Sequence, residues 1–116
     1  MRKLRTGHVG VDQGSTILFS DFDNNGEMWM GDGPRERRVT VLYNGIFLNP
    51  PSIHISIDMW DFDQETNMRA DISAEQISRE GFQIVFKTWG DTRIARLRAN
   101  WMAIGEMKSE TDWEVD

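Results

Sequence analysis

GFQIVFKTWGDTRIARLRANW, residues 81–101, is the stretch whose reading decides the fold. Phe82, Ile84 and Phe86 share one phase of a two-residue period, and Gln83, Val85, Lys87 and Trp89 share the other. Successive strand residues point to opposite faces, so the first set is expected in the core and the second outside. Gly90-Asp91 interrupts the run. Ala95, Leu97, Ala99 and Trp101 then resume the inward phase, with Arg96, Arg98 and Asn100 outward.

The same period recurs upstream. Met68, Ala70, Ile72 and Ala74 are expected inward, against Arg69, Asp71, Ser73 and Glu75 outward, with a short connection through Arg79-Glu80-Gly81. Ile53, Ile55, Ile57 and Met59 alternate with His54, Ser56, Asp58 and Trp60, the pattern of a strand with one wet face. Val39, Val41 and Tyr43 alternate with Arg38, Thr40 and Leu42, and breaks at Asn44-Gly45 and Asn49-Pro50-Pro51 separate this run from the next. With an N-terminal strand near Thr16 to Ser20, the expectation is all-β: an antiparallel six-stranded β-sandwich. Residues 1–35 would hold the N-terminal strand and a loop region of that domain, 36–105 the sandwich, and 106–116 an acidic tail.

The chain has 116 residues, enough for one domain burying roughly two-thirds of its unfolded surface. Having no cysteine, it has no disulfide, thiolate metal site or cysteine nucleophile. A formal charge of −6 repels a phosphate backbone, so nucleic acid is not an expected partner. Arg2, Lys3 and Arg5 are not followed by the apolar run of a secretion signal, and no stretch has the length of a membrane span. The expectation is a chain without leader or membrane insertion, either cytoplasmic or released by a non-classical route.

Charge is clustered. Asp58, Asp61, Asp63 and Glu65 crowd what reads as one turn, and Glu106, Glu110, Asp112, Glu114 and Asp116 form the tail, with Arg93, Arg96 and Arg98 as counterweight. Either these are solvated surfaces that discourage edge pairing, or the patches meet across subunits.

Two indoles have opposite expected fates. Trp101 is in phase with Leu97 and Ala99 and belongs to the core, whereas Trp89 is in phase with Lys87 beside a glycine turn. Trp89 is either a surface for a neighbouring loop or subunit, or a platform for a sugar, whose axial C–H face stacks on an electron-rich ring. Sugar hydroxyls then need a forked donor, which Arg69 on an outward phase offers, and a carboxylate such as Asp32 accepting from adjacent hydroxyls.

The elements Asn67-x-Arg69, Gly81-Phe82, Thr88-Trp89-x-x-Thr92 and Trp101-x-x-Ile104 resemble the H-type lectins, the galactose- and N-acetylgalactosamine-binding family of snail agglutinins and discoidin C-terminal domains. The likeness runs from about Asn49 to Gly105, half the chain. It implies that Arg69 bonds sugar hydroxyls, that Trp89 and Gly90 line the pocket, and that Asp32, found by counting back from Pro50-Pro51, supplies the carboxylate. The expected carbohydrate-binding set is therefore Asp32, Arg69, Trp89, Gly90 and Gly31. It also implies a homo-trimer or stacked hexamer with sites at subunit boundaries, Asp32 from one protomer meeting Arg69 and Trp89 of the next. Where the snail protein has a histidine holding the acetamido group, this chain has Gly90, and its bracing cysteines are absent.

No cofactor is expected to be required. Calcium is considered only at the loop from Asp21 to Asp32, where Asp21, Asp23, Asn25, Gly26 and Asp32 hold positions 1, 3, 5, 6 and 12 of an EF-hand-like spacing. The flanking helices are missing from the pattern, and the favoured reading is an irregular loop whose Trp29, Met30 and Asp32 shape the sugar pocket. No spacing picks out a glycosidase carboxylate pair, and His8 and His54 stand alone, so the chain is not expected to be an enzyme. The alternative to a lectin is a structural or assembly β-sandwich, a fibre or tail component without an active sugar site.

Overall fold

The computed structural model describes residues 1–5 and 7–108. Six strands are found there: β1 (His8–Phe19), β2 (Arg35–Leu42), β3 (Ser52–Phe62), β4 (Asp71–Glu75), β5 (Gly81–Thr88) and β6 (Ile94–Met107), with one helical turn, α1 (Glu27–Met30), between β1 and β2. They form two antiparallel three-stranded sheets ordered β1-β6-β3 and β2-β5-β4. The two sequence-adjacent strands β5 and β6 are each the centre of a sheet, so the turn between them crosses from one layer to the other.

Packing follows the sequence alternation. Phe82, Ile84 and Phe86 of β5 and Leu97, Ala99, Trp101 and Ala103 of β6 are buried in one cluster with Phe19, Met28, Tyr43 and Phe47. On β6 the bulky Leu97 and Trp101 alternate with alanines, leaving room for the phenylalanines of the other sheet. Phe82 meets Trp101 edge-on, with centroids 5.6 Å apart. Phe19 packs on Phe86 at 5.7 Å.

Several expectations are revised. β1 begins at His8 rather than near Thr16, because it pairs with β6 from Met107 down to Leu97. Glu106, assigned to the tail, lies in β6 opposite Val9; Glu110, Asp112, Glu114 and Asp116 lie outside the described residues. Met68 and Ala70 are not buried in the core, since β4 starts only at Asp71. Val85, expected outside, is 1% exposed. It sits in the central strand opposite Arg38 and Ser73, and Arg38 reaches over β5 to Gln83 and to Glu75 of β4.

The pairing of β3 changes beyond Ile57. A bulge between Ile57 and Met59 puts Met59 opposite Arg98 and Trp60 opposite Leu97. Met59 is nevertheless half-buried and Trp60 is 55% exposed, as the alternation predicts. The acidic turn is likewise mostly strand, and its charges pair within the chain: Asp58 with Arg98 at 2.9 Å, Asp61 with Arg96 at 3.3 Å, and Asp63 with Arg93 at 3.8 Å.

Tyr43 carries the one buried side-chain polar atom without a hydrogen-bond partner among the described residues, its hydroxyl. Burial, with the nearby Glu80 carboxylate adding to it, pushes that phenol up to about 12. The folded state therefore holds the proton more tightly than the unfolded chain, so stability is intact below pH 10 and declines as pH rises toward 12, by about 2 kcal/mol. Tyr43→Phe is expected to remove that alkaline loss at little cost near pH 7, readable from urea midpoints at the two pH values. Phe86→Ala is expected to cost about 3–5 kcal/mol in the same assay, as an emptied core site does.

Candidate functional site

The site grows from the turn between β5 and β6. Thr88 and Thr92 flank it and are both buried. Their hydroxyls donate to main-chain carbonyls of the preceding β3–β4 connection, Thr88 to Arg69 O at 2.6 Å and Thr92 to Asn67 O at 2.5 Å. The Thr-Trp-x-x-Thr and Asn-x-Arg elements are therefore two halves of one clamp, hydroxyls four residues apart holding carbonyls two residues apart. What the clamp presents is the Arg69 side chain.

Arg69 lies over Gly90. One terminal nitrogen of its guanidinium donates to Asp91 Oδ1 at 2.5 Å and to Thr92 Oγ1 at 3.4 Å. Its other N–H groups have no partner among the described residues. Asn67 Nδ2 also donates to Asp91 Oδ1, at 3.5 Å. The Arg69 bond holds the Asp91 carboxyl below its ordinary pKa, against an opposing effect of burial and with help from Asn67. Gly90 has φ +68°, and a Cβ there would stand 2.9 Å from an Arg69 terminal nitrogen and 3.1 Å from Cζ. The left-handed backbone thus favours glycine, and a side chain there would also push the guanidinium tip aside.

The second wall is the loop after α1. Gly33 N donates to Gly90 O at 2.9 Å. Arg35, only 7% exposed, donates to Gly33 O, Glu27 O, Met28 O and Gly90 O at 2.9–3.3 Å. Asp32 thus sits beside the Trp89–Asp91 turn of its own chain, on a loop between Gly31 and Gly33. Gly31 caps α1 through a bond to Glu27 O at 2.8 Å, and a Cβ there would come within 2.4 Å of that oxygen. The Asp32 carboxylate is exposed and has no partner among the described residues. Trp89 is 45% exposed, without a ring partner there, and borders a groove with Pro34, Glu36 and Lys87. Arg69, Asp32, Trp89, Gly90 and Gly31 are thus gathered at one end of the sandwich.

Other expected participants point elsewhere. Trp29 turns to Phe22 and Arg93 rather than to Trp89. Asp21 is buried and committed: its Oδ2 accepts from Met28 N and from Arg37, both at 2.9 Å. Asp23 is exposed and accepts from Ser20 at 2.6 Å, and Asn25 is an exposed left-handed residue with φ 56°. Among the described residues no three His, Asp or Glu side chains gather as a metal needs. The residues the sequence reading left out are Arg35, Asp91 and the roles of Thr88, Thr92 and Asn67. A signal existed for Arg35: stepping the Val39–Val41 phase back by twos passes Arg37 and reaches Arg35, an inward position.

Comparison with known proteins agrees with the fold. Residues 38–104, more than half of the chain, match the family model of the H-type lectin domain. A relative from Fuscovulum blasticum, named ORF 7 of the ATP synthase subunits region, is 56% identical over 114 residues, spanning 97% of this chain and 99% of that one. A discoidin-1 polypeptide of Dictyostelium discoideum is 32% identical over 74 residues, 63% of this chain and 29% of that protein. The solved structure of recombinant discoidin II of Dictyostelium discoideum superposes with a TM-score of 0.75 at 22% identity, covering 94% of this chain and 40% of that one. The chain belongs to the H-type lectin domain family. Its fold and family are those of a carbohydrate-binding module, and it spans well under half the length of the discoidins it matches. No helix among the described residues is long and apolar enough to cross a membrane.

Thr92→Val is expected to release Asn67 O and loosen Arg69. The hydrogen-bond loss is about 1 kcal/mol, measurable by thermal unfolding. Gly90→Ala is expected to displace the Arg69 guanidinium while Thr88 and Thr92 stay buried, a change visible in a crystal structure of the variant.

Proposed function

We propose that the chain is a lectin for terminal galactose or N-acetylgalactosamine. The observation that carries the reading is the Arg69 guanidinium, braced by Asp91 over Gly90 with donors to spare, while Trp89, one residue before Gly90, is exposed and the Asp32 loop is tied to the Gly90 carbonyl through Gly33. Arg69 and Asp32 grip adjacent hydroxyls through charge-assisted bonds, and the indole stacks on the apolar face of the ring. Gly31 and Gly33 let the Asp32 loop approach Gly90. No step of bond making or breaking is involved.

Gly90 offers no side chain to an acetamido group, so galactose and N-acetylgalactosamine are expected to bind with comparable affinity. Assembly as a trimer, or a stacked hexamer, brings sites to subunit boundaries, where a neighbour closes the open side along Trp89. Shallow single sites then gain avidity from multivalent display. The second reading, an assembly module with an inactive sugar site, draws on the same Arg69–Asp91 pair, which partly occupies the guanidinium.

Calorimetric titration of the purified oligomer with both sugars, with and without calcium, separates the readings. Saturable heat that is indifferent to calcium and is lost in Arg69→Ala, with the oligomer intact, is the expected result. Silence from a correctly assembled protein with both sugars favours the assembly module.

A further inference from the structure

The loop between β1 and α1 holds an aromatic group that the Arg69 clamp does not use. Phe22 is 57% exposed, yet its ring is fixed: Trp29 meets it edge-on, with centroids 5.1 Å apart and planes at 78°. Trp29 is itself held by Arg93, whose guanidinium lies 5.0 Å from the indole centroid while its Nε donates to Trp29 O at 2.9 Å. Phe22 and Trp29 line a cleft together with Asp23, Asp61 and Arg96.

The polar lining is only half used. Asp23 Oδ2 accepts from Ser20, and Asp61 Oδ2 takes Arg96 through two nitrogens at 3.3 Å. The second oxygen of each carboxylate and one terminal nitrogen of Arg96 have no partner among the described residues. An anion would meet Asp23 and Asp61, and a wholly apolar molecule would strip water from three charged groups without replacing it. A neutral ring with one apolar face and a rim of hydroxyls satisfies every wall.

We propose that this cleft is a second saccharide site, taking a pyranose ring stacked on Phe22, with its hydroxyls on Asp23, Asp61 and Arg96. It shares no residue with the Arg69 clamp and stands independently of it. The two sites give each chain two points of attachment to a glycan surface.

Saturation-transfer NMR with methyl α-galactopyranoside and methyl α-glucopyranoside, on the full chain, tests it. Wild type, Arg69→Ala, Phe22→Ala and the double variant are compared, with circular dichroism confirming that each is folded. In Arg69→Ala, transfer to at least one glycoside is expected to persist, and adding Phe22→Ala is expected to weaken it about fivefold or more, the loss of one stacking contact. Abolition of all transfer by Arg69→Ala alone overturns the second site and leaves the first standing. Transfer that survives undiminished in the double variant also overturns it, as does a wild type silent to both glycosides. Loss through Phe22→Ala with Arg69→Ala harmless sustains it and instead removes the first.

Discussion

The end of the sandwich depends on one buried cation. Arg35 lies on the inward phase of β2 with no carboxylate against it, and its guanidinium is satisfied by the carbonyls of Gly33, Glu27, Met28 and Gly90. A buried charge is tolerable only when its donors are met, and a planar fork with five N–H groups can meet several oxygens at once. By doing so it fixes the end of α1, the loop that carries Asp32 and the turn that carries Trp89. The helical turn, the loop that follows it and a turn 55 residues away thus acquire a common frame from a single side chain. Arg37, one step along the same phase, does the equivalent for Asp21 and the start of that loop.

The β5–β6 turn is the other half of this frame. It leaves one sheet and enters the next within five residues, and it is tied by hydroxyls to the β3–β4 connection and by a carbonyl to the Asp32 loop. Arg69 is consequently placed by main-chain bonds at its own base and by Asp91 at its tip. Pre-positioning of this kind lowers the ordering cost that a long side chain would otherwise bring to a weak ligand.

Much of this was legible in sequence where the signal is local. The alternation of Phe82 to Phe86 and of Leu97 to Trp101 located the two central strands, and it sorted Trp101 from Trp89 correctly. Legibility ended where non-local pairing or a one-residue irregularity intervened. The bulge after Ile57 has no marker in its residues, yet it shifts the pairing of Met59 and Trp60 on β6. The ion pairs joining Asp58, Asp61 and Asp63 to Arg98, Arg96 and Arg93 are visible only once β3 is known to lie beside β6. Thr88 and Thr92 stood in the motif as letters, and their purpose, gripping two carbonyls, is a property of the folded chain. Asp91 was passed over because a turn aspartate is ordinary until an arginine is found resting against it.

The glycine beneath Arg69 also limits how this binding surface can diversify. In a shallow pocket, the residue following the aromatic platform is a natural place to vary ligand preference. Here a side chain would push aside the guanidinium proposed to hold the ligand, and would do so from a left-handed backbone. Gain of a new contact at position 90 and loss of the existing one are coupled through the same few cubic ångströms. If the proposed site is the sugar site, selection for a different ligand would act first on the exposed positions around Asp32 and along the Trp89 groove, where a side chain can change without moving the arginine.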